Sequence, residues 1–139
     1  MIEGVILNIK QFAERVSISA YTIRYYEKIG LLRDVVRLNN GHRCFNEQDV
    51  GWIMFIQRLK ETGMPLAQIQ DYADERILGD TTLGSRKELL EKHAQQLQEA
   101  LAKQQQHLQK LNEKIAYYQV AIERFEQAQI VASAINNQS

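Results

Sequence analysis

A chain of 139 residues with 17 basic and 17 acidic side chains carries no formal net charge, so it lacks the overall basicity common among nucleic-acid binders. Its single cysteine, Cys44, excludes an intramolecular disulfide and any multi-cysteine zinc site, and agrees with a reducing compartment. No apolar run approaches the roughly 18 residues needed to span a bilayer, and residues 1–7 are too short and wrongly charged for a signal peptide, which points to a soluble, cytoplasmic protein. The charge is unevenly spread: residues 10–60 hold nine Lys/Arg against five acids, a local excess of +4. That asymmetry marks the first half as the anion-facing part.

Ile9, Phe12, Ala13 and Val16 recur at helical spacing and predict a first helix over 9–16. After the turn Ser17-Ile18-Ser19 comes a second helix, with Ser19 as N-cap and Gly30 as its left-handed stop. Ala20, Ile23 and Glu27 share one side of it, with Tyr26 close by. Tyr21, Tyr25 and Lys28 line the other, which is too polar to be core. Two short helices joined in this way, the second with an exposed polar stripe, form a helix-turn-helix pattern. The stripe suits a DNA groove, with cations and tyrosine hydroxyls meeting phosphates; the plainer reading is a solvated face that carries two tyrosines.

Leu31 and Leu32 are expected to pack beneath this pair. Residues 33–37 and 42–45 are β-compatible and flank Leu38-Asn39-Asn40-Gly41, a hairpin signal in which Asn and Gly both tolerate positive φ. Arg37 and Arg43 flank the turn, so the ribbon reads either as a basic wing for phosphates or a minor groove or as an ordinary surface hairpin. Asn46 caps a third helix, with Glu47 and Asp49 in its first turn. Val50, Ile53, Met54, Ile56 and Leu59 give it an apolar side, and Gly63 ends it. Trp52 and Phe55 are packing residues. Arg58 and Lys60 near its C-terminus complement the helix dipole or contact phosphate. Pro65 fits the first turn of a fourth helix carried by Leu66, Ile69, Tyr72 and Ala73, and residues 77–81 read as a break with a new cap.

From Thr82 the pattern changes. Leu83, Leu90, Leu97, Gln104, Leu111, Tyr118 and Phe125 recur every seven residues, with Ala94, Leu101, Leu108, Ile115 and Ile122 interleaved. This is a coiled-coil seam, compatible with parallel or antiparallel pairing. Its apolar stripe is too long to be satisfied by the first half alone, so a second chain is the expected partner, held through Leu90, Leu97, Leu101, Leu108, Leu111, Ile115 and Tyr118. Gln104 either fixes register or is tolerated. The expected organisation is a DNA-binding unit over 1–79, a dimerisation helix over 80–128 and a flexible tail over 129–139. His93 is expected to be a solvated or flanking residue. His93 and His107 are too far apart to share a metal within one helix, and no nucleophile has a positioned base. Neither an enzyme nor a cofactor is expected.

The run Ile9-Lys10-Gln11-Phe12-Ala13, Arg24-Tyr25-Tyr26-Glu27, Gly30-Leu31-Leu32, Arg37 and Asn40-Gly41-His42-Arg43 resembles the MerR family of bacterial transcription regulators, and the likeness continues through Thr62-Gly63-Met64-Pro65-Leu66 into the long helix. Gly79-Asp80-Thr81-Thr82-Leu83 and Lys114-Ile115-Ala116-Tyr117-Tyr118 look most like the subgroup that answers aldehydes or other electrophiles. The resemblance implies a mainly α fold: an N-terminal winged helix-turn-helix with a β-hairpin wing, a helical connector and a long C-terminal helix that pairs antiparallel in a homodimer. It further implies binding to double-stranded promoter DNA with an overlong spacer, which the dimer distorts so that RNA polymerase can engage, under control of a small effector. Carried over by position, Tyr21, Thr22, Arg24 and Tyr25 face DNA from the second helix, with Lys28 on the same stripe. Arg37 and Arg43 do so from the wing and Lys60 from the third helix.

Three departures stand out. Arg33 occupies the position of a usual proline, His42 that of a wing tyrosine, and Arg58 that of the cysteine expected in thiol-sensing members. Cys44 is then the one possible effector thiol, with His42 and Arg43 beside it favouring thiolate; the plainer reading is a small half-buried side chain. Two alternatives accompany the regulator: an architectural DNA-binding protein that needs no effector, and a coiled-coil assembly module whose winged head binds protein.

Overall fold

The computed structural model describes residues 6–138. It is mainly helical, with α1 (Ile9–Val16), α2 (Ala20–Lys28), β1 (Val36–Arg37), β2 (Arg43–Cys44), α3 (Glu47–Glu61), α4 (Leu66–Ile77), a 3-10 turn (Gly79–Thr82) and α5 (Leu83–Asn137). The chain divides into two compact units, one ending at Ala94 and the other beginning at Gln95.

In the first unit α1 packs on α2 and α3, and α3 packs on α4. Asn8 and Gln11 close a reciprocal capping box that starts α1. Asn46 and Asp49 do the same for α3, at 2.9 and 3.0 Å. The core gathers Phe12 and Val16 from α1, Ile23 and Tyr26 from α2, and Leu31 and Leu32 from the following loop. Val50, Trp52, Ile53, Ile56 and Leu59 join from α3, and Ile69 and Ala73 from α4. Phe12 stacks on Phe45, ring centroids 4.2 Å apart. Leu7 reaches the end of β2 through two 2.8 Å backbone hydrogen bonds with Phe45, so the segment before α1 is tied to the wing.

The sequence pattern and the structure part at several points. Met54, expected on the apolar side of α3, is exposed. At about 100° per residue it stands some 200° from both Trp52 and Ile56, so their burial turns it outward. Leu66 is exposed too, at the start of α4. Pro65 is the N-cap of that helix, extended at φ −60° and ψ 147°, and its carbonyl accepts the first bonds, from the Gln68 and Ile69 amides. The hairpin loop is also one residue longer than a two-residue turn with both residues at positive φ. Val36 pairs with Cys44 and Arg37 with Arg43. The Leu38 amide donates to His42 O at 2.8 Å, and Gly41 N–H donates back to Leu38 O at 2.9 Å. Gly41 takes the left-handed backbone, at φ +84°, and Asn40 does not. This is a three-residue loop built as a β-turn followed by one left-handed residue, steadied by Asn40 Oδ1, which accepts the His42 amide at 3.0 Å.

His93, expected as a solvated or flanking residue, is instead buried. Its Nε2 lies 2.8 Å from Thr62 Oγ1, and that hydroxyl also lies 2.8 Å from the Arg58 carbonyl at the C-terminus of α3. The α3–α4 junction thus supplies a polar partner 31 residues away in sequence, which helix periodicity does not register. Leu90 packs against the same core.

The second unit is the remainder of α5. The helix does not end near Ala128 but continues through Asn137. Along it Leu101, Leu108, Leu111, Ile115, Tyr118, Ile122 and Phe125 are all exposed, so among the described residues of this unit the seam has no apolar partner. Leu97 is half-buried. No helix of the described residues is long and apolar enough to cross a membrane.

Candidate nucleic-acid interface

The candidate surface begins with the division of α2 into two faces. Ser19 Oγ accepts the Thr22 amide at 3.1 Å and sits 2.9 Å from Thr22 Oγ1, fixing the start of the helix. Ile23 is fully buried and Tyr26 nearly so, which anchors one side in the core. The opposite side is thereby forced out. Tyr21 is 79% exposed and Tyr25 43%, and Arg24 and Lys28 are exposed with them. Arg24 is three residues from Tyr21 and four from Lys28, so it belongs to this stripe. Thr22 is half-buried, and its hydroxyl serves the cap. It shares a shallow concavity with Lys60 of α3, along with Ser17, Ile18, Tyr26 and Gln57. Lys60 therefore opens onto the same region as the start of α2.

The exit of α2 is firmly held. Gly30 adopts φ +84°, which lets the Leu31 and Leu32 amides turn back to the Tyr26 carbonyl at 2.8 and 3.2 Å. Trp52 Nε1–H donates to Leu31 O at 2.6 Å in the core, and the indole stacks on Tyr72 of α4 and carries the Arg76 guanidinium 4.2 Å above its ring. Arg33 supplies part of the loop's anchoring. Its Nε donates to Gly30 O at 2.7 Å, and its Nη2 pairs with Asp74 of α4.

The wing follows. Arg37 and Arg43 lie opposite each other on the two strands and both turn toward Glu27 on α2. Arg43 Nε donates to Glu27 Oε2 at 2.9 Å, and Arg37 Nη2 donates to Glu27 Oε1 at 3.2 Å. Arg37 Nη1 also donates to the Gly41 carbonyl at the tip, at 3.1 Å. The Arg43 side chain is 24% exposed and that of Arg37 46%, so Arg37 is the wing arginine more open to a ligand. Helical periodicity puts Glu27 on the core side of α2, where no neighbour in sequence partners it. The available signal is an acid at the end of α2 followed by two arginines paired across a hairpin, and only the tertiary docking makes it visible.

Other expected sites fall differently. Cys44 is buried and unpaired, whereas His42 beside it is exposed, so the two do not share an environment. Arg58 is exposed. Among the described residues, no group of three or more His, Cys, Asp or Glu side chains stands together to hold a metal. Between α1 and α3 Arg15 grips Glu47 with two hydrogen bonds of 2.8 and 2.7 Å. That grip holds the Glu47 carboxyl below the usual carboxylate range and raises Arg15 above its ordinary value.

A helix-turn-helix with an outward Tyr–Arg–Tyr–Lys stripe and an adjoining basic hairpin has clear relatives. Residues 7–76 match the model of the MerR HTH family regulatory protein, and residues 50–114 match that of the MerR DNA-binding region. An uncharacterised HTH-type transcriptional regulator of Haemophilus influenzae is 40% identical over 109 residues, covering 78% of this chain and 81% of that protein. The fold is similar to HiNmlR, a MerR family regulator lacking the sensor domain and solved bound to promoter DNA. That likeness has a TM-score of 0.72 and 37% identity, over 83% of this chain and 87% of the other. It is also similar to a MerR family regulator from Listeria monocytogenes, with a TM-score of 0.82 and 34% identity, over 89% and 97% of the two chains. With α2, the wing and the α3–α4 connector all inside the matched region, this chain belongs to the MerR family of DNA-binding transcription regulators.

Proposed function

We propose that the protein acts as a homodimeric, effector-responsive regulator that binds promoter DNA with an overlong spacer and distorts it so that RNA polymerase can engage. Tyr21, Thr22, Arg24, Tyr25 and Lys28 meet DNA from α2. The wing reaches it through Arg37, with Arg43 behind, and Lys60 adds a contact from α3. The observation that carries this reading is the outward, unburied set Tyr21, Arg24, Tyr25 and Lys28 on a helix whose other side is locked in the core. Most of these contacts are to phosphate, so they position the protein and make binding salt-sensitive. Specificity comes from a few base edges and from how readily the spacer deforms. The seam of α5, exposed at Leu101, Leu108, Leu111, Ile115 and Tyr118 and half-buried at Leu90 and Leu97, supports pairing with a second copy. Antiparallel pairing follows from the family likeness.

The stretches 79–83 and 114–118 support a stress role in answer to aldehydes or related electrophiles, acting on a protein of the cytoplasm. Burial of Cys44 and the presence of Arg58 where a thiol was expected favour a second reading, an architectural DNA-binding protein that needs no effector. Footprinting on the DNA flanking the protein's own gene, with and without an aldehyde, separates the two: protection that aldehyde alters supports the regulator, and protection that it leaves untouched supports the architectural reading. A salt titration tests the interface itself. Affinity for duplex DNA falls steeply as salt rises, and Arg24→Ala weakens binding and lowers the slope of log K against log salt by about one, with an unchanged unfolding transition. Weak binding indifferent to salt overturns the DNA surface.

A further inference from the structure

The wing is small. Its ladder consists of the pairs Val36–Cys44 and Arg37–Arg43, and a two-stranded hairpin of this size is marginal alone. What ties its outer part to the helix pair is one carboxylate. Glu27 projects from the last turn of α2 and accepts from both strands at once: Arg43 Nε at 2.9 Å, Arg37 Nη2 at 3.2 Å and Arg43 Nη2 at 3.5 Å. Arg37 passes the connection on to the tip by donating to the Gly41 carbonyl. The Glu27 side chain is 25% exposed and that of Arg43 24%, which shields the pair from water more than a surface ion pair would be.

We propose that Glu27 is the positioning residue of the wing, holding it at a set place beside α2, and that Arg43 serves this tether rather than contacting phosphate. One carboxylate against two guanidinium groups leaves a net positive charge, and Arg37, the more exposed partner, presents it. The proposal rests on the reading in which α2 and the wing meet DNA together, and it makes a prediction of opposite sign to simple charge counting. Removing a negative charge from a DNA-facing surface should raise affinity if charge alone mattered. A tether gives the reverse, because a wandering wing must be ordered at the moment of binding.

The test uses the full-length protein and Glu27→Gln. In amide hydrogen exchange, the Leu38 and Gly41 amides, bonded within the wing, exchange faster in the variant while amides in α1 and α3 keep their protection. Unchanged exchange in the wing overturns the tether. Against duplex DNA carrying the protein's own upstream region, E27Q binds roughly tenfold more weakly, Glu27→Asp recovers part of the loss, and the double variant E27Q/R43Q is no weaker than either single one. Tighter binding by E27Q, or losses that add in the double variant, overturns the proposal. Should E27Q lose its cooperative thermal transition, Arg43→Gln cuts the same contact from the wing and is read by the same two measurements. If the wild-type protein fails to bind duplex DNA, the proposed function falls, and the exchange measurement still decides the tether.

Discussion

The two compact units use their apolar residues in opposite ways. Up to Ala94, large side chains from four helices, two loops and the wing converge on one core, with Phe12, Ile23 and Ile53 excluded from water altogether. From Gln95 onward a single helix carries Leu101, Ile115, Ile122 and Phe125 into solvent. The first unit therefore supplies its own reason to fold, since each buried side chain of this size contributes about 1.5–3 kcal/mol. The second does not. A lone helix with an exposed heptad seam gains stability only by burying that seam elsewhere.

That contrast is open to attack at both ends. The largest expected effect is Phe12→Ala, which empties the space against Phe45 and costs the first unit about 3–5 kcal/mol in chemical denaturation. Leu108→Glu leaves that transition alone. Placing a charge on the seam shifts the self-association constant by about a hundredfold or more in sedimentation equilibrium, and an unaltered association state would remove the seam from the interface. Smaller again is Thr62→Val, which deprives His93 of its hydroxyl partner and destabilises the first unit by about 1–3 kcal/mol. A loss there shows that the beginning of α5 belongs energetically to the compact unit rather than to the seam.

The smallest effect is at Arg15–Glu47, and it depends on pH. Because Arg15 lowers the Glu47 carboxyl in the folded protein, its contribution is present above the unfolded carboxylate value and is lost as pH falls through the folded one. Glu47→Gln is therefore slightly less stable than wild type at neutral pH, and the difference closes as pH falls through the folded carboxyl's lowered value. A difference that persists in acid would mean that the carboxylate charge is not what matters.

What the sequence made legible was local. Ser19 and Asn46 cap the helices they precede, Gly30 and Gly63 turn the chain out of α2 and α3, and the heptads announce α5, because each signal lies within a few residues of its effect. The outward stripe of α2 was legible for the same reason. Contacts between distant segments were not. His93 finds Thr62, Arg33 finds Asp74, and Glu27 gathers arginines from a hairpin that begins after the helix has ended. In each case a polar residue reads as solvated until the fold brings its partner beside it. The tip of the wing illustrates a finer limit: Asn-Gly announced the turn correctly, yet backbone pairing of Leu38 with His42 left only Gly41 in the left-handed region.

Trp52 is the only tryptophan in the chain, and its indole is held on three sides: by the Leu31 carbonyl after α2, by the Tyr72 ring and by the Arg76 guanidinium on α4. A shift of α4 reaches the indole through Tyr72 and Arg76, and a shift of the end of α2 reaches it through the Leu31 carbonyl. Intrinsic fluorescence thus reports on one junction alone, free of other indoles. Any small molecule or duplex that alters the coupling between connector and reading head will announce itself as a change in emission colour, with no label attached.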